Sequence, residues 1–415
     1  MTIGGQVQYC GLMTLCTPVW VGMAAKLAGR MLANPVRYFR KVDRSNLKFA
    51  DPIPDMKHIY VENAGVRLHA ATHGLGSGKP LMLFLHGFPE TWATWRHQLK
   101  EFAGQYELVA MDLRGYGGSD APKAARLMPQ QREAGAGVRS YTVDKVCSDV
   151  AAVIAATGNS KAIVVRLLLV GQDWGGGIAW LMSIYYPQLV AKLVVITCPH
   201  PAAYKDPERF DGEMVSRQWY TLLFQSRLGE AYLRHGDFRE IRRWMTQAPH
   251  GALTPGAITE KELERYKAAF SRPGSLTAAI NYYRASFAST TKWWTAEVDK
   301  AYYTFISAPT LLLYADKDSV FLPKMYSKTE ELVDHLTTVC LDNCSHWANQ
   351  DRPDLVNQNI AAFLAGKLEA GNHKGRRPKG SMVMVKAGVP ASGTATPAAA
   401  GAGGWGSLAQ VPKQD

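Results

Sequence analysis

Short apolar runs of strand length recur along the first half of the chain and return once near its end. Leu81 to Leu85, Leu108 to Met111, Ala162 to Val170, Leu193 to Thr197 and Thr310 to Tyr314 are almost free of charge, as strands buried on both faces must be. Between them lie stretches of helical spacing, Val143 to Ala156 and Gly177 to Tyr186, with a last helix expected from about Pro353 to Leu368. Strands alternating with helices predict an α/β chain with a doubly wound, mostly parallel sheet. Two β-type runs come first, His58 to Val61 and Val66 to Ala70, and the Asn and Gly of Glu62-Asn63-Ala64-Gly65 between them suit a hairpin turn. From Pro201 to Tyr303 the strand pattern stops, and aromatic residues, Arg and Glu take helical spacing, as in an α-helical cap inserted into the sheet domain. Two places break the pattern. Lys123 to Arg139 is a long polar loop, and Arg166 sits inside a run where an unpaired charge would be costly, so that strand is expected to start at Leu167.

The ends differ from the body. Residues 8–25 are apolar and uncharged, the lower limit for a bilayer span, although Pro18 and several Gly and Thr weaken it. Basic residues follow this run rather than precede it, which argues against a secretory signal and for a membrane-associated chain whose bulk stays cytosolic. An interfacial helix, or an acid-free transit peptide leaving a soluble protein, are the other readings. After Gly371 the composition turns to Gly, Ala, Pro, Ser and Lys, too poor in apolar surface to order itself. The expected layout is therefore an N-terminal segment at 1–50, a first core part at 51–200, the cap at 201–303, a second core part at 304–370 and a disordered tail at 371–415.

Composition changes this picture in one respect. The net charge of +12 resembles a nucleic-acid signal, but residues 1–42 carry +5 and residues 371–415 another +5, leaving +2 for the body. Nucleic-acid binding by the body has little support. The six cysteines form no C-x-x-C pair and no zinc spacing, which fits a reducing compartment and no metal site.

Gly171-Gln172-Asp173-Trp174-Gly175-Gly176 closes the third apolar run and leads into an apolar helix. Small residues on either side let such a turn close sharply and expose the middle side chain, as in the nucleophile elbow of α/β-hydrolases. With Asp173 at the apex, the chemistry implied is attack by a carboxylate on a saturated carbon. The ordinary alternative is an acid favoured by the helix start. In that fold nucleophile, acid and histidine follow one another along the chain. Downstream lie Asp316-Lys317-Asp318 after one strand and Ser345-His346-Trp347 after the run Leu336 to Leu341. Asp318 is the preferred acid, with Asp316 competitive on spacing, and His346 is the base. Singly, these are a loop histidine and a turn-forming acid; as an ordered set at strand C-termini they point to a site.

His86-Gly87-Phe88-Pro89-Glu90, Trp95-Arg96-His97-Gln98-Leu99, Asp112-Leu113-Arg114-Gly115-Tyr116-Gly117, Asp173-Trp174-Gly175-Gly176 and Ser345-His346-Trp347 together resemble α/β-hydrolase-fold epoxide hydrolases, over about residues 55–368. The likeness is to the membrane-associated animal-type branch. It implies an epoxide hydrolase that needs no metal or organic cofactor and acts on a small apolar epoxide, including lipid-derived ones. Two cap tyrosines donate to the epoxide oxygen in that family, and the roles fall on Tyr220 and Tyr283, with Tyr282 beside the second. The backbone N–H groups of Phe88 and Trp174 would form the oxyanion hole, and Pro89 would fix the His86-Gly87-Phe88-Pro89 loop. Trp219, Phe224, Tyr232, Trp244 and Phe287 would line an apolar cap.

The chain departs from the family at Gln172, where His is frequent, in the length of the 123–139 loop and in the extra residues around Arg166. Gln172 resembles some haloalkane dehalogenases, which share the triad, so a haloalkane or haloacetate dehalogenase is the rival enzyme. Two tyrosine hydroxyls favour an alkoxide over a halide. A non-catalytic, membrane-tethered binding protein on the same fold is the rival of another class.

Overall fold

The computed structural model describes residues 3–122, 136–157, 167–288, 303–368 and 385–386, with side chains from Thr17 onward except at 136, 287–288 and 385–386. Most of the 123–139 loop, the residues ahead of Leu167 including Arg166, and the tail other than Val385 and Lys386 lie outside the described residues. The N-terminal helices are α1 (Ile3–Ala33) and α2 (Pro35–Tyr38). The sheet domain then runs β1 (Lys57–Asn63), β2 (Val66–His73), β3 (Leu81–Leu85), α3 (Arg96–Phe102), β4 (Glu107–Met111), α4 (Ala136–Arg139), α5 (Val143–Thr157), β5 (Leu167–Gln172), α6 (Trp174–Tyr185) and β6 (Lys192–Ile196). After the cap helices α7 (Gly212–Arg217), α8 (Trp219–Leu223), α9 (Leu228–Thr246), α10 (Glu260–Ser271) and α11 (Ser275–Ala288), it resumes with β7 (Thr310–Ala315), β8 (Leu336–Leu341), α12 (Ala348–Asp351) and α13 (Pro353–Leu364).

The strand order is β1-β2-β4-β3-β5-β6-β7-β8, with Val385–Lys386 paired beyond β8. β1, β2 and β4 pair antiparallel and every other pair is parallel. The β1–β2 hairpin turns at Ala64 (φ 48°) and Gly65 (φ 75°), the left-handed pair that a two-residue turn between right-twisted strands requires. The described part of β5 runs from Leu167 to Gln172 and is buried at all six positions.

Strand alternation divides the core into two layers. Leu83, Leu85, Leu169 and Val195 face Val150, Ile154, Ile178 and Met182, and this layer continues into the cap. Phe84, Val170, Val194 and Leu313 face Trp95, Leu99, Ile360 and Phe363 on the other side. Each such side chain contributes roughly 1.5–3 kcal/mol on burial.

The cap lies between β6 and β7, and the N-terminal segment is built onto it. The Trp20 indole N–H donates to the Leu222 carbonyl at 2.9 Å, and Met23 and Leu27 are buried. Arg30 meets the wholly buried carboxylate of Glu240 at 2.7 Å, and Arg44 bridges Asp237 (2.6 Å) and Glu264 (2.8 Å). Among the described residues no helix is long and apolar enough to cross a membrane. Within the 8–25 stretch, Trp20 is thus bonded to the cap and Met23 is buried.

Candidate active site

Asp173 stands between β5 and α6 at φ 51° and ψ −120°, a backbone region L-residues rarely occupy. Holding it there costs about 1–3 kcal/mol, which the surrounding packing must offset. The packing is close because Gly175 has no side chain: a Cβ there would collide with the Leu85 carbonyl. The turn thus presses β5 and α6 against the end of β3, and the Asp173 carboxylate meets the loop that follows β3.

Its Oδ1 accepts the Phe88 backbone N–H at 2.9 Å, and its Oδ2 lies 3.4 Å from His346 Nε2. On the other ring edge, His346 Nδ1 donates to Asp318 Oδ2 at 3.0 Å. Asp318 is held in turn by the backbone N–H groups of Val320 (2.6 Å) and Phe321 (3.0 Å) on its Oδ1. The competing acid, Asp316, points elsewhere: it accepts the Cys344 N–H at 3.0 Å and pairs with Lys317 at 3.2 Å. Asp173, Asp318 and His346, far apart in sequence, therefore form one chain of contacts.

His346 is fully buried, and burial alone would strip its proton. The charges and hydrogen bonds of Asp318 and Asp173 outweigh burial and push the imidazole up to about 10. At neutral pH the site thus rests as an imidazolium flanked by two carboxylates.

Tyr220 on α8 and Tyr283 on α11 hang over this pair. Both line one narrow cavity with Asp173, His346, Phe88, Trp244 and Trp347, and their rings are 5.9 Å apart. Burial raises both hydroxyls, so they stay protonated donors. The neighbouring Tyr282 sends its hydroxyl to the Arg114 carbonyl at 3.1 Å, and so leaves the cavity to Tyr283. Trp174 opens α6, where the backbone N–H has no acceptor within the helix. Its ring stacks edge-on against Tyr283, with centroids 5.0 Å apart. His86 is buried and kept neutral by desolvation; it donates from Nδ1 to the Gly87 carbonyl (2.8 Å) and accepts the Leu113 N–H on Nε2 (3.1 Å). Pro89 follows Phe88 through a cis peptide bond. Of the expected cap aromatics, Trp219 and Trp244 reach the cavity, Phe224 packs on Phe88, Tyr232 donates to Glu240, and the side chain of Phe287 lies outside the described residues.

Three residues gain a place that sequence reasoning had not assigned. Glu90 is wholly buried beneath the Phe88 loop, accepting from Thr94 (2.6 Å), Gln350 (2.6 Å) and the Gly87 N–H (3.3 Å). Burial pushes its carboxyl up to about 7. His250, in the loop between α9 and α10, lines the cavity with Nδ1 2.9 Å from the Ser319 hydroxyl. Its separation from His346 in sequence left no signal. Gln172 is buried off the cavity wall, where its amide N–H donates to Thr197 and to the His346 carbonyl, both at 3.2 Å. It thereby braces the histidine loop against β6. No group of His, Cys, Asp and Glu among the described residues is arranged to hold a metal ion.

This sheet order, with an acid on a left-handed elbow after β5 and an acid–histidine pair after β7 and β8, defines an α/β-hydrolase carrying a carboxylate at the elbow. Residues 80–353 match the family described as alpha/beta hydrolase fold. The chain is 35% identical over 362 residues to epoxide hydrolase 4 of Mus musculus, covering 86% of this chain and 91% of that protein. It is 38% identical over 311 residues to epoxide hydrolase 3 of Mus musculus, covering 74% and 76%. Among solved structures, the Bacillus megaterium epoxide hydrolase with an inhibitor superposes at a TM-score of 0.61, with 28% identity over 74% of this chain and all of that one. The chain belongs to the epoxide hydrolases of the α/β-hydrolase fold family, and it is a hydrolase.

Proposed function

We propose that the protein hydrolyses apolar epoxides to vicinal diols in two steps through an ester on Asp173. The observation that carries this reading is the carboxylate itself, which has Oδ1 on the Phe88 N–H, Oδ2 facing His346, and Tyr220 and Tyr283 lining the same cavity. In the first step Asp173 attacks a ring carbon, the C–O bond breaks, and one tyrosine hydroxyl protonates the released oxygen. The proton that tyrosine gives up is replaced from the imidazolium. Loss of the Asp173 charge on esterification favours this transfer, because that charge helps keep the proton on His346.

Neutral His346, oriented by Asp318, then takes a proton from water, and the hydroxide attacks Asp173 Cγ. The oxyanion forms at Oδ1, against the N–H groups of Phe88 and Trp174. Collapse releases the diol and restores the carboxylate and the imidazolium, so protons balance over the cycle. A dehalogenase would need N–H donors at the leaving group. The Trp347 indole N–H is already committed to the carbonyls of Trp244 (3.2 Å) and His250 (2.9 Å), which weakens that reading.

The walls formed by Phe88, Trp219, Trp244 and Val320 suit an apolar epoxide, including lipid derivatives. Association of the N-terminal segment with a membrane surface belongs to the same proposal, with the catalytic body on the cytosolic side. It is supported by the exposure of Val21 (64%), Leu32 (78%) and Phe39 (62%). The two-step scheme is tested with His346→Gln and an aromatic epoxide, following the Asp173 peptide by mass spectrometry. An ester adduct is expected to accumulate as diol release stops. Epoxide consumption with no adduct at any time would sink the scheme.

A further inference from the structure

A second cavity is roomier than the one over Asp173. It has a volume of about 280 Å³, lies on the flank of the cap and shares no wall residue with the catalytic cavity. Its charged walls come from three places: Arg37 and Arg40 at the end of the N-terminal segment, Asp237, Arg239 and Arg242 on α9, and Lys267 on α10. Asp237, the acid on this wall, is already shared by Arg44 at 2.6 Å and Lys267 at 3.5 Å. Lys267 also pairs with Glu264, and Arg242 with Glu260. Among the described residues, the side chains of Arg37, Arg40 and Arg239 have no ion pair or hydrogen bond. Counting Arg44, six cations face three carboxylates, which leaves three positive charges without compensation around one cavity.

The backbone concentrates this charge. α9 breaks at His235, and Gly236, Asp237 and Phe238 follow in the left-handed region at φ 59°, 61° and 57°. For a residue with a Cβ, each such position costs about 1–2 kcal/mol. Arg44 holds Asp237, and Arg30 holds His235 and Glu240 on either side of the break. The break brings Gly236 against the Arg37 carbonyl, so two argininyl segments distant in sequence face one opening. Guanidinium groups lining one cavity repel one another and match the paired oxygens of a phosphate.

We propose that this cavity binds a phosphate-bearing ligand, a phosphomonoester or a pyrophosphate, either free or carried on a lipid headgroup. Val36 (84% exposed) and Phe39 (62% exposed) adjoin Arg37 and Arg40 in sequence, which favours the headgroup as the source.

The full-length protein is titrated calorimetrically with inorganic pyrophosphate. In parallel it is sedimented with vesicles of phosphatidylcholine alone and with vesicles carrying about one fifth phosphatidic acid. Saturable pyrophosphate binding is expected, weakened at least about tenfold by Arg37→Glu/Arg239→Glu and untouched by the charge-matched Lys100→Glu/Lys367→Glu. Arg239→Gln alone gives a milder loss and serves if the double reversal fails to fold. Diol formation is expected to be unchanged in these variants, since neither arginine reaches the catalytic cavity. Sedimentation with phosphatidic acid vesicles that pyrophosphate reverses identifies the headgroup source, whereas pyrophosphate binding without vesicle binding identifies a free ligand. Absence of binding to both probes overturns the proposal, as does equal weakening by both double variants, which would reduce the effect to net charge.

Discussion

Gly87→Ala tests whether the position of the Asp173 carboxylate sets the rate. A Cβ on Gly87 would stand 2.5 Å from Asp173 Cβ, 2.7 Å from Asp173 Oδ1 and 2.8 Å from Gln172 Oε1. Carbon contacts settle near 3.5–4.0 Å, so either the carboxylate or the loop must retreat by about 1 Å. Neither can move freely. Phe88, the next residue, holds Oδ1 at 2.9 Å, and His346 Nε2 stands 3.4 Å from Oδ2. A misplacement of about 1 Å in a reacting group costs on the order of 10²-fold in rate. The overpacking itself should cost about 1–3 kcal/mol, a lowered melting temperature and not a lost fold. Steady-state diol formation from an aromatic epoxide should therefore show kcat down about 10²-fold with KM less affected. Gly177→Ala on α6 is the control, since its Cβ would meet only Cys198 Sγ at 3.8 Å, an ordinary contact. If Gly87→Ala kept activity within about threefold of the parent while Gly177→Ala behaved alike, the positional reasoning would fail.

The remaining expectations concern the other members of the site. Asp318→Asn should lower kcat by about 10³–10⁴-fold by losing the charge that orients and supports His346, whereas Asp316→Asn keeps an acceptor for the Cys344 N–H and should change little. Equal losses would mean that the wrong acid had been chosen. Tyr220→Phe and Tyr283→Phe should each slow ester formation by about 10²–10³-fold in stopped-flow mixing, and Tyr282→Phe should leave that step intact while lowering stability. The His346 pKa is raised on folding, so the stability it contributes is fully present below the ordinary 6.5 and is lost as pH rises through about 10. Urea melts at a series of pH values should show this alkaline decline in the parent and a flatter limb in His346→Gln; parallel curves would contradict the ion-pair resting state.

The identity of the elements was legible along the chain. A buried parallel strand must be apolar at nearly every position, which exposed the runs at Leu81, Leu108, Leu193 and Thr310 without any knowledge of their neighbours. The Asp173 turn showed itself through glycines that only a close approach of α6 to β3 explains, and Asp318 and His346 followed from strand ends. Strand ends alone left open the choice between neighbouring residues with the same local pattern, where Asp318 was the preferred acid and Tyr283 came from the family resemblance. Asp316 and Asp318, or Tyr282 and Tyr283, differ only in which one faces His346 or the cavity. That direction is set by partners more than twenty residues away. Glu90 and His250 took their places for the same reason, through Gln350 and Ser319. The N-terminal segment is the clearest case. Its apolar run and basic flank read as an anchor, yet Trp20, Arg30 and Arg44 bond to the cap across roughly two hundred residues. Periodicity records which face of an element is apolar, and only the folded chain decides what that face and its charges meet.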